Sequence, residues 1–237
     1  MIHPLLSPLY DQLWESTLPL FQRRAYTLDP FLHGLSEDNR RGLTLIVRPS
    51  EQVKHAIQEM LHNFGLLLPA QHYYELQELH TTVLTLISCE PGFTTSSLDI
   101  PAYIETIEEG LREQKSPEIW YQGISASTSA IMVQGFPTNF GLEQIRDSLR
   151  EAFRSSGLYH TIDKRYKLVT AHSTVMRFTS LPDPVENEAF VNLLASYRHK
   201  DFGMCSPSEV ELVVTDWYLS KANARTLASF ACPIPTS

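Results

Sequence analysis

The sequence twice sets a histidine, a small residue, a threonine and a valine in a row, as Leu79-His80-Thr81-Thr82-Val83-Leu84 and as Ala171-His172-Ser173-Thr174-Val175-Met176. Both stretches lie in runs of apolar and β-branched residues, which suit a pleated, half-buried strand. Side chains alternate across a strand, so His80 and Thr82 are expected on one face, Thr81 and Val83 on the other. His172 and Thr174 pair in the same way. Set side by side across a groove, the two strands would present two imidazoles and two hydroxyls, a phosphate-sized acid/base site. One histidine on a half-buried strand is ordinarily a satisfied core residue; the recurrence of the whole pattern argues for a shared site.

The chain between and around these stretches reads as mixed strands and helices. Residues 1–40 form a helical arm, with a short helix around Leu9 to Leu18 stopped by Pro19 and a segment from Tyr26 to Leu35 broken by Pro30 and Gly34. A strand from Gly42 to Arg48 leads to a helix capped by Ser50, whose apolar stripe is Val53, Ile57, Met60 and Leu61. His55 and His62 share a face of that helix, but no carboxylate completes a zinc set beside them, so they read as surface or half-buried polar residues. The first motif strand is expected from about Glu78 to Ser88, followed by a helix from about Pro101 and a hairpin of Glu118–Ser125 with Ala130–Phe136. A helix from Gly141 to Ser155, closed by Gly157, precedes the second motif strand at about Leu168 to Thr179. A helix from Val185 to Tyr197, with Gly203 marking its exit, and a strand from Glu209 to Leu219 complete a body over 41–220, leaving 221–237 as a tail. Without strict strand–helix–strand alternation, the order favours α+β sheets with mostly antiparallel pairing.

Composition narrows the chemistry. With 43% hydrophobic residues in 237, the chain can build a proper core without staples. Cys89, Cys205 and Cys232 match neither zinc nor redox spacing, so reduced thiols in a cytoplasmic protein are expected. No apolar run is long enough to span a bilayer. The net charge of -8 works against long RNA or DNA, whose binding relies on a Lys/Arg-rich surface, yet leaves room for a small nucleotide held by a few local cations. Gly123-Ile-Ser125-Ala-Ser127 narrowly misses a nucleophile elbow: the second glycine and the following helix are both lacking, which argues against a serine hydrolase.

The motif pair His80-Thr81-Thr82-Val83 and His172-Ser173-Thr174-Val175 resembles the two-histidine (2H) phosphoesterase superfamily of cyclic phosphodiesterases and 2′-5′ RNA ligase-like proteins. The resemblance implies a bilobal fold with two mostly antiparallel sheets related by a pseudo-two-fold axis, a central cleft between them and helices outside. It implies metal-free chemistry, with no cofactor, in which one histidine accepts a proton from the attacking oxygen and the other donates to the departing one. His80 and His172 would fill those roles, and Thr82 and Thr174 would bind the phosphate. The substrate expected is a small cyclic or 2′-linked nucleotide or a short oligonucleotide, bound by a monomer without a membrane.

Tyr74, Tyr121, Tyr166, Lys167 and Trp217 are further candidates for substrate binding, although aromatics at strand ends more often belong to core or rim. Tyr73 competes with Tyr74 for that place. Lys164 and Arg165, with Lys167, could supply charge to the cleft, although a basic run of this kind is more often a solvated turn. Arg177 is an odd number of residues from His172, so strand alternation sends it away from the catalytic face. Two other readings stay open: a protein that binds a nucleotide or RNA end without turnover, and a mutarotase-type enzyme that moves protons at a sugar.

Overall fold

Hydrophobic pattern and turn residues place five helices and nine strands in the computed structural model, which describes residues 6–32 and 38–232. Gly34 and Leu35, the end of the expected Tyr26 to Leu35 segment, and the end of the tail lie outside those residues. Arg40–Val47 (β1) is apolar on both faces and buried along most of its length, so it sits inside a sheet rather than at its edge. It pairs antiparallel with Thr81–Pro91 (β3) on one side and with Glu209–Thr215 (β8) on the other; Arg225–Ala231 (β9) completes the order β3-β1-β8-β9. The second sheet runs His72–Tyr73 (β2), Ser173–Arg177 (β6), Ala130–Pro137 (β5), Ile119–Ser127 (β4), Asp201–Cys205 (β7), again antiparallel throughout. β3 is thus the edge of its sheet, and β6 is next to the edge of the other, with the two-residue β2 added outside it.

The helices interlock the sheets. Glu51–Leu67 (α2) starts at Ser50, whose hydroxyl accepts from the Val53 amide at 3.4 Å, and buries Val53, Ile57, Met60, Leu61 and Phe64. It connects β1 to β2 and β3 yet packs on β6 and β7 of the other sheet. Gly141–Ser156 (α4) connects β5 to β6 yet packs on β3 and on Ile100–Leu111 (α3). Gly157, at φ 71°, ends it in the left-handed conformation that glycine adopts without strain. Pro184–Ser196 (α5) opens with a capping box between Asp183 and Glu186. One continuous core therefore spans both sheets, from Leu43 and Val83 to Val133 and Val175. Among the described residues, no helix is long and apolar enough to cross a membrane.

Several expectations need correction. The first helix, Leu6–Gln22 (α1), runs through Pro19: the proline is exposed, and buried Thr17 and Phe21 hold the helix to the body on either side of it. Gly203 marks no helix exit but lies within β7. The supposed tail contributes β9 to a sheet. Trp217 and Tyr218 are not in a strand, because the Asp216 carboxylate accepts from the amides of Tyr218 and Ser220 at 3.0 Å each and turns the chain after Thr215.

The second motif strand is shorter than expected, and the reason is chemical. Residues 168–172 carry no strand ladder; side chains take its place. Arg150 donates to the Leu168 carbonyl at 3.2 Å, and Arg146 to those of Val169 and Thr170 at 3.1 and 2.7 Å. The Tyr10 hydroxyl, reaching in from α1, accepts from the Ala171 amide and donates to the Gly135 carbonyl, both at 3.2 Å. Gly135 leaves no space for a side chain there: a Cβ would stand 1.9 Å from the Ala171 carbonyl oxygen.

Candidate active site

Both histidines stand one residue ahead of their strands and face a shared cavity of about 230 Å³. Thr82 and Thr174 line it beside them. The Nδ1 atom of His80 lies 2.7 Å from the Glu78 carbonyl oxygen. A carbonyl only accepts, so Nδ1 carries the hydrogen and neutral His80 turns the lone pair of Nε2 outward. His172 is tied differently: its Nδ1 lies 3.0 Å from the Thr170 hydroxyl, which donates or accepts and so permits a proton on Nε2.

Burial pulls both imidazoles down to about 4, since a half-enclosed site disfavours the charged form. His172 also meets the charges of His80, Arg146 and Arg177, in that order of effect.

Strand alternation breaks at the same point in both motifs. Along β3 the pairing with β1 skips from Leu84 to Thr82, and along β6 the pairing with β5 skips from Met176 to Thr174. Val83 and Val175 are the extra residues of two β-bulges. Met176 consequently turns into the core, Leu84 packs against the core at the cavity wall, and Thr85 and Arg177 return to the cavity face. The expectation that Arg177 leaves this face is overturned by that bulge. Its Nε donates to the Tyr74 hydroxyl at 2.9 Å and its guanidinium lies 5.3 Å from the Tyr218 ring.

No family model matches the sequence, and no curated protein does. Solved structures do. TT0787 of Thermus thermophilus superposes with a TM-score of 0.55 over 80% of this chain and 97% of its own, at 17% identity. A phosphoesterase gives 0.54 over 82% and 98%, at 13% identity. E. coli LigT in complex with 3′-AMP gives 0.51 over the same shares, also at 13% identity. The chain has the two-histidine phosphoesterase fold.

Within this two-histidine fold the other candidates divide. Tyr74 lies at the cavity floor; Tyr166 and Trp217 stand at its mouth, 67% and 39% exposed. Trp217 is flanked by two guanidiniums, Arg165 at 5.3 Å and Arg40 at 5.4 Å from its ring. Tyr121 is not in the cleft: fully buried behind β3, it shares a hydrogen bond of 2.8 Å with the Thr81 hydroxyl, which alternation turns away from His80. Lys167 is likewise outside, exposed and 3.9 Å from Asp147. Arg165, assigned above to a solvated turn, lines the mouth instead. Tyr73 donates to the Leu68 carbonyl and does not line the cavity. His55 and His62 are exposed on α2, as their spacing suggests. Among the described residues, no group of three or more His, Cys, Asp or Glu is placed to hold a metal ion.

Proposed function

We propose that the protein is a phosphodiesterase that opens a cyclic or 2′-linked phosphodiester of a nucleotide or short oligonucleotide, with His80 as general base and His172 as general acid. The observation that carries this reading is the convergence of two tied-back imidazoles, two threonine hydroxyls and the Arg177 guanidinium on one cavity. The Nε2 lone pair of neutral His80 suits it to take a proton from the attacking oxygen as the new bond to phosphorus forms. His172, protonated at the start, gives its proton to the oxygen whose bond to phosphorus breaks. Thr82, Thr174 and Arg177 are placed to hold the non-bridging oxygens, where charge is borne in the transition state. Nucleotide ligands such as those of the LigT complexes, 3′-AMP, ATP and NADP+, suit the exposed Trp217 ring as a stacking surface for a base.

The reading is tested by hydrolysis of a panel in the presence of chelator: 2′,3′-cyclic and 3′,5′-cyclic mononucleotides, 2′-5′ and 3′-5′ dinucleotides, and cyclic dinucleotides. Turnover of a cyclic or 2′-linked member is expected. Binding without turnover across the panel would leave a receptor, and activity lost to chelator would remove the two-imidazole mechanism.

The pH dependence has a definite sign. With both free-state values near 4, neither histidine is charged at pH 7, so the acid form of His172 must be gained from solvent or with the anionic substrate. The plot of kcat/KM against pH is expected to be bell-shaped with its optimum below about 6.5, the ordinary histidine value, and to rise as pH falls from 8. Binding of a nucleotide anion should take up a proton, seen as buffer-dependent heat by calorimetry. An optimum above pH 7 with chemistry rate-limiting would count against the assignment.

A further inference from the structure

The geometry points to Arg146 as a positioning residue that fixes the two histidine motifs to each other from behind. It sits on the buried face of α4, between Leu142, Ile145 and Leu149, with 2% of its surface exposed. A helix face built only for packing would carry a leucine there, because burying a guanidinium is costly unless all its donors are used. Here four hydrogen bonds from its three nitrogens serve one task. Nε donates to the Val83 carbonyl and Nη2 to that of Thr82, both at 2.8 Å, within the first motif. Nη1 donates to the Val169 carbonyl at 3.1 Å and Nη2 also to that of Thr170 at 2.7 Å, immediately ahead of the second.

The two backbones so joined do not pair with each other. β3 is the edge of its sheet, and residues 168–172 precede the β6 ladder. The planar fork, with fixed angles between its N–H groups, sets the gap between them in a way a flexible ammonium does not. One acceptor, Thr170, also holds His172 through its hydroxyl, so the clamp runs Arg146, Thr170, His172. Although burial lowers its pKa to about 10, Arg146 stays charged at neutral pH and adds positive potential behind the threonines. It reaches the histidines only through the backbone and its field; on the two-histidine reading, its effect falls on the chemical step rather than on substrate contact.

The test compares Arg146→Lys, which keeps the charge without the fork, with Arg146→Met, which keeps neither. Folding is checked by circular dichroism, and His172 titration is followed by NMR of the ring protons. Both variants are expected to lose at least about tenfold in kcat with KM changed by less than about threefold, since small displacements of reacting groups cost this much or more. The methionine variant alone should raise the His172 pKa, by about half a unit to one unit, because one of the cations facing it is gone. A folded variant of either kind with kcat within about twofold of wild type would overturn the assignment. So would unfolding of both, which would make Arg146 a folding residue only. The titration needs no substrate: a wild type inactive on the whole panel sinks the phosphodiesterase reading, while the His172 shift still decides whether Arg146 acts on the site.

Discussion

Replacing either His80 or His172 by asparagine is expected to lower kcat by about 10²–10⁴-fold, the range in which a positioned acid or base contributes. The double variant should be scarcely worse than the poorer single one, because a base without its acid, or the reverse, no longer completes the proton transfer. Fully additive losses would mean that the two imidazoles act in separate steps, and unchanged kcat in either variant would remove that histidine from the mechanism. Stability supplies an independent readout. The folded-state pKa of each histidine lies near 4, below the value of about 6.5 for an unfolded chain. The unfolded state therefore binds protons first, and stability is full above about pH 6.5 and falls as pH drops through that value toward 4. Each asparagine variant should lose part of this acid sensitivity. A melting temperature below pH 6 that falls as steeply in the variants as in the wild type would show that the histidines are not held neutral by the fold.

The cavity-facing pairs His80 with Thr82 and His172 with Thr174 were legible in the sequence because alternation in an extended chain is strict over the three residues from His80 to Thr82 and from His172 to Thr174. Beyond those residues it fails, and it fails twice in the same way. A strand that continued its alternation would place Leu84 and Met176 on the polar face with the threonines. The two consecutive apolar residues in each motif, Val83-Leu84 and Val175-Met176, were the sign that the chain bulges there and that the next side chain returns to the cavity. Read that way, Thr85 and Arg177 belong to the site, and the burial of the two hexapeptides follows one order. Tyr121 could have been set aside by the same logic, since its hydroxyl meets Thr81 on the opposite face of the strand. The remaining misses are tertiary. Nothing local in Ala171 says that a tyrosine from α1 will take the place of a strand partner, and nothing in Arg225–Ala231 beyond modest β-branching says that β8 needs an outer neighbour.

The Arg177 guanidinium is the cation that this bulge delivers to the histidines, and replacing it should be nearly as costly as replacing one of them. Its Nε is spent on Tyr74 and its face lies against Tyr218, a geometry that leaves both Nη groups without a hydrogen-bond partner among the described residues. Arg177 lines the same cavity as Thr174. Two parallel N–H donors match two non-bridging phosphate oxygens, and the match tightens as charge accumulates on them in the transition state. Arg177→Met is expected to lower kcat/KM by about 10²–10³-fold, the loss that follows removal of a preorganised donor to an oxyanion. Arg177→Lys should recover little of it, because lysine has no Nε to hold Tyr74 and presents a single point charge in place of the fork. Tyr74→Phe, which frees the guanidinium without removing it, should cost about tenfold or less. Sulfur substitution at each non-bridging oxygen separates a direct contact from a general field: the wild type should discriminate between the two phosphorothioate diastereomers, and Arg177→Met should lose that discrimination. If the methionine variant keeps both its rate and its preference, the phosphate is held by the threonines alone, and the matched bulges at Val83 and Val175 serve only the packing of the two strands.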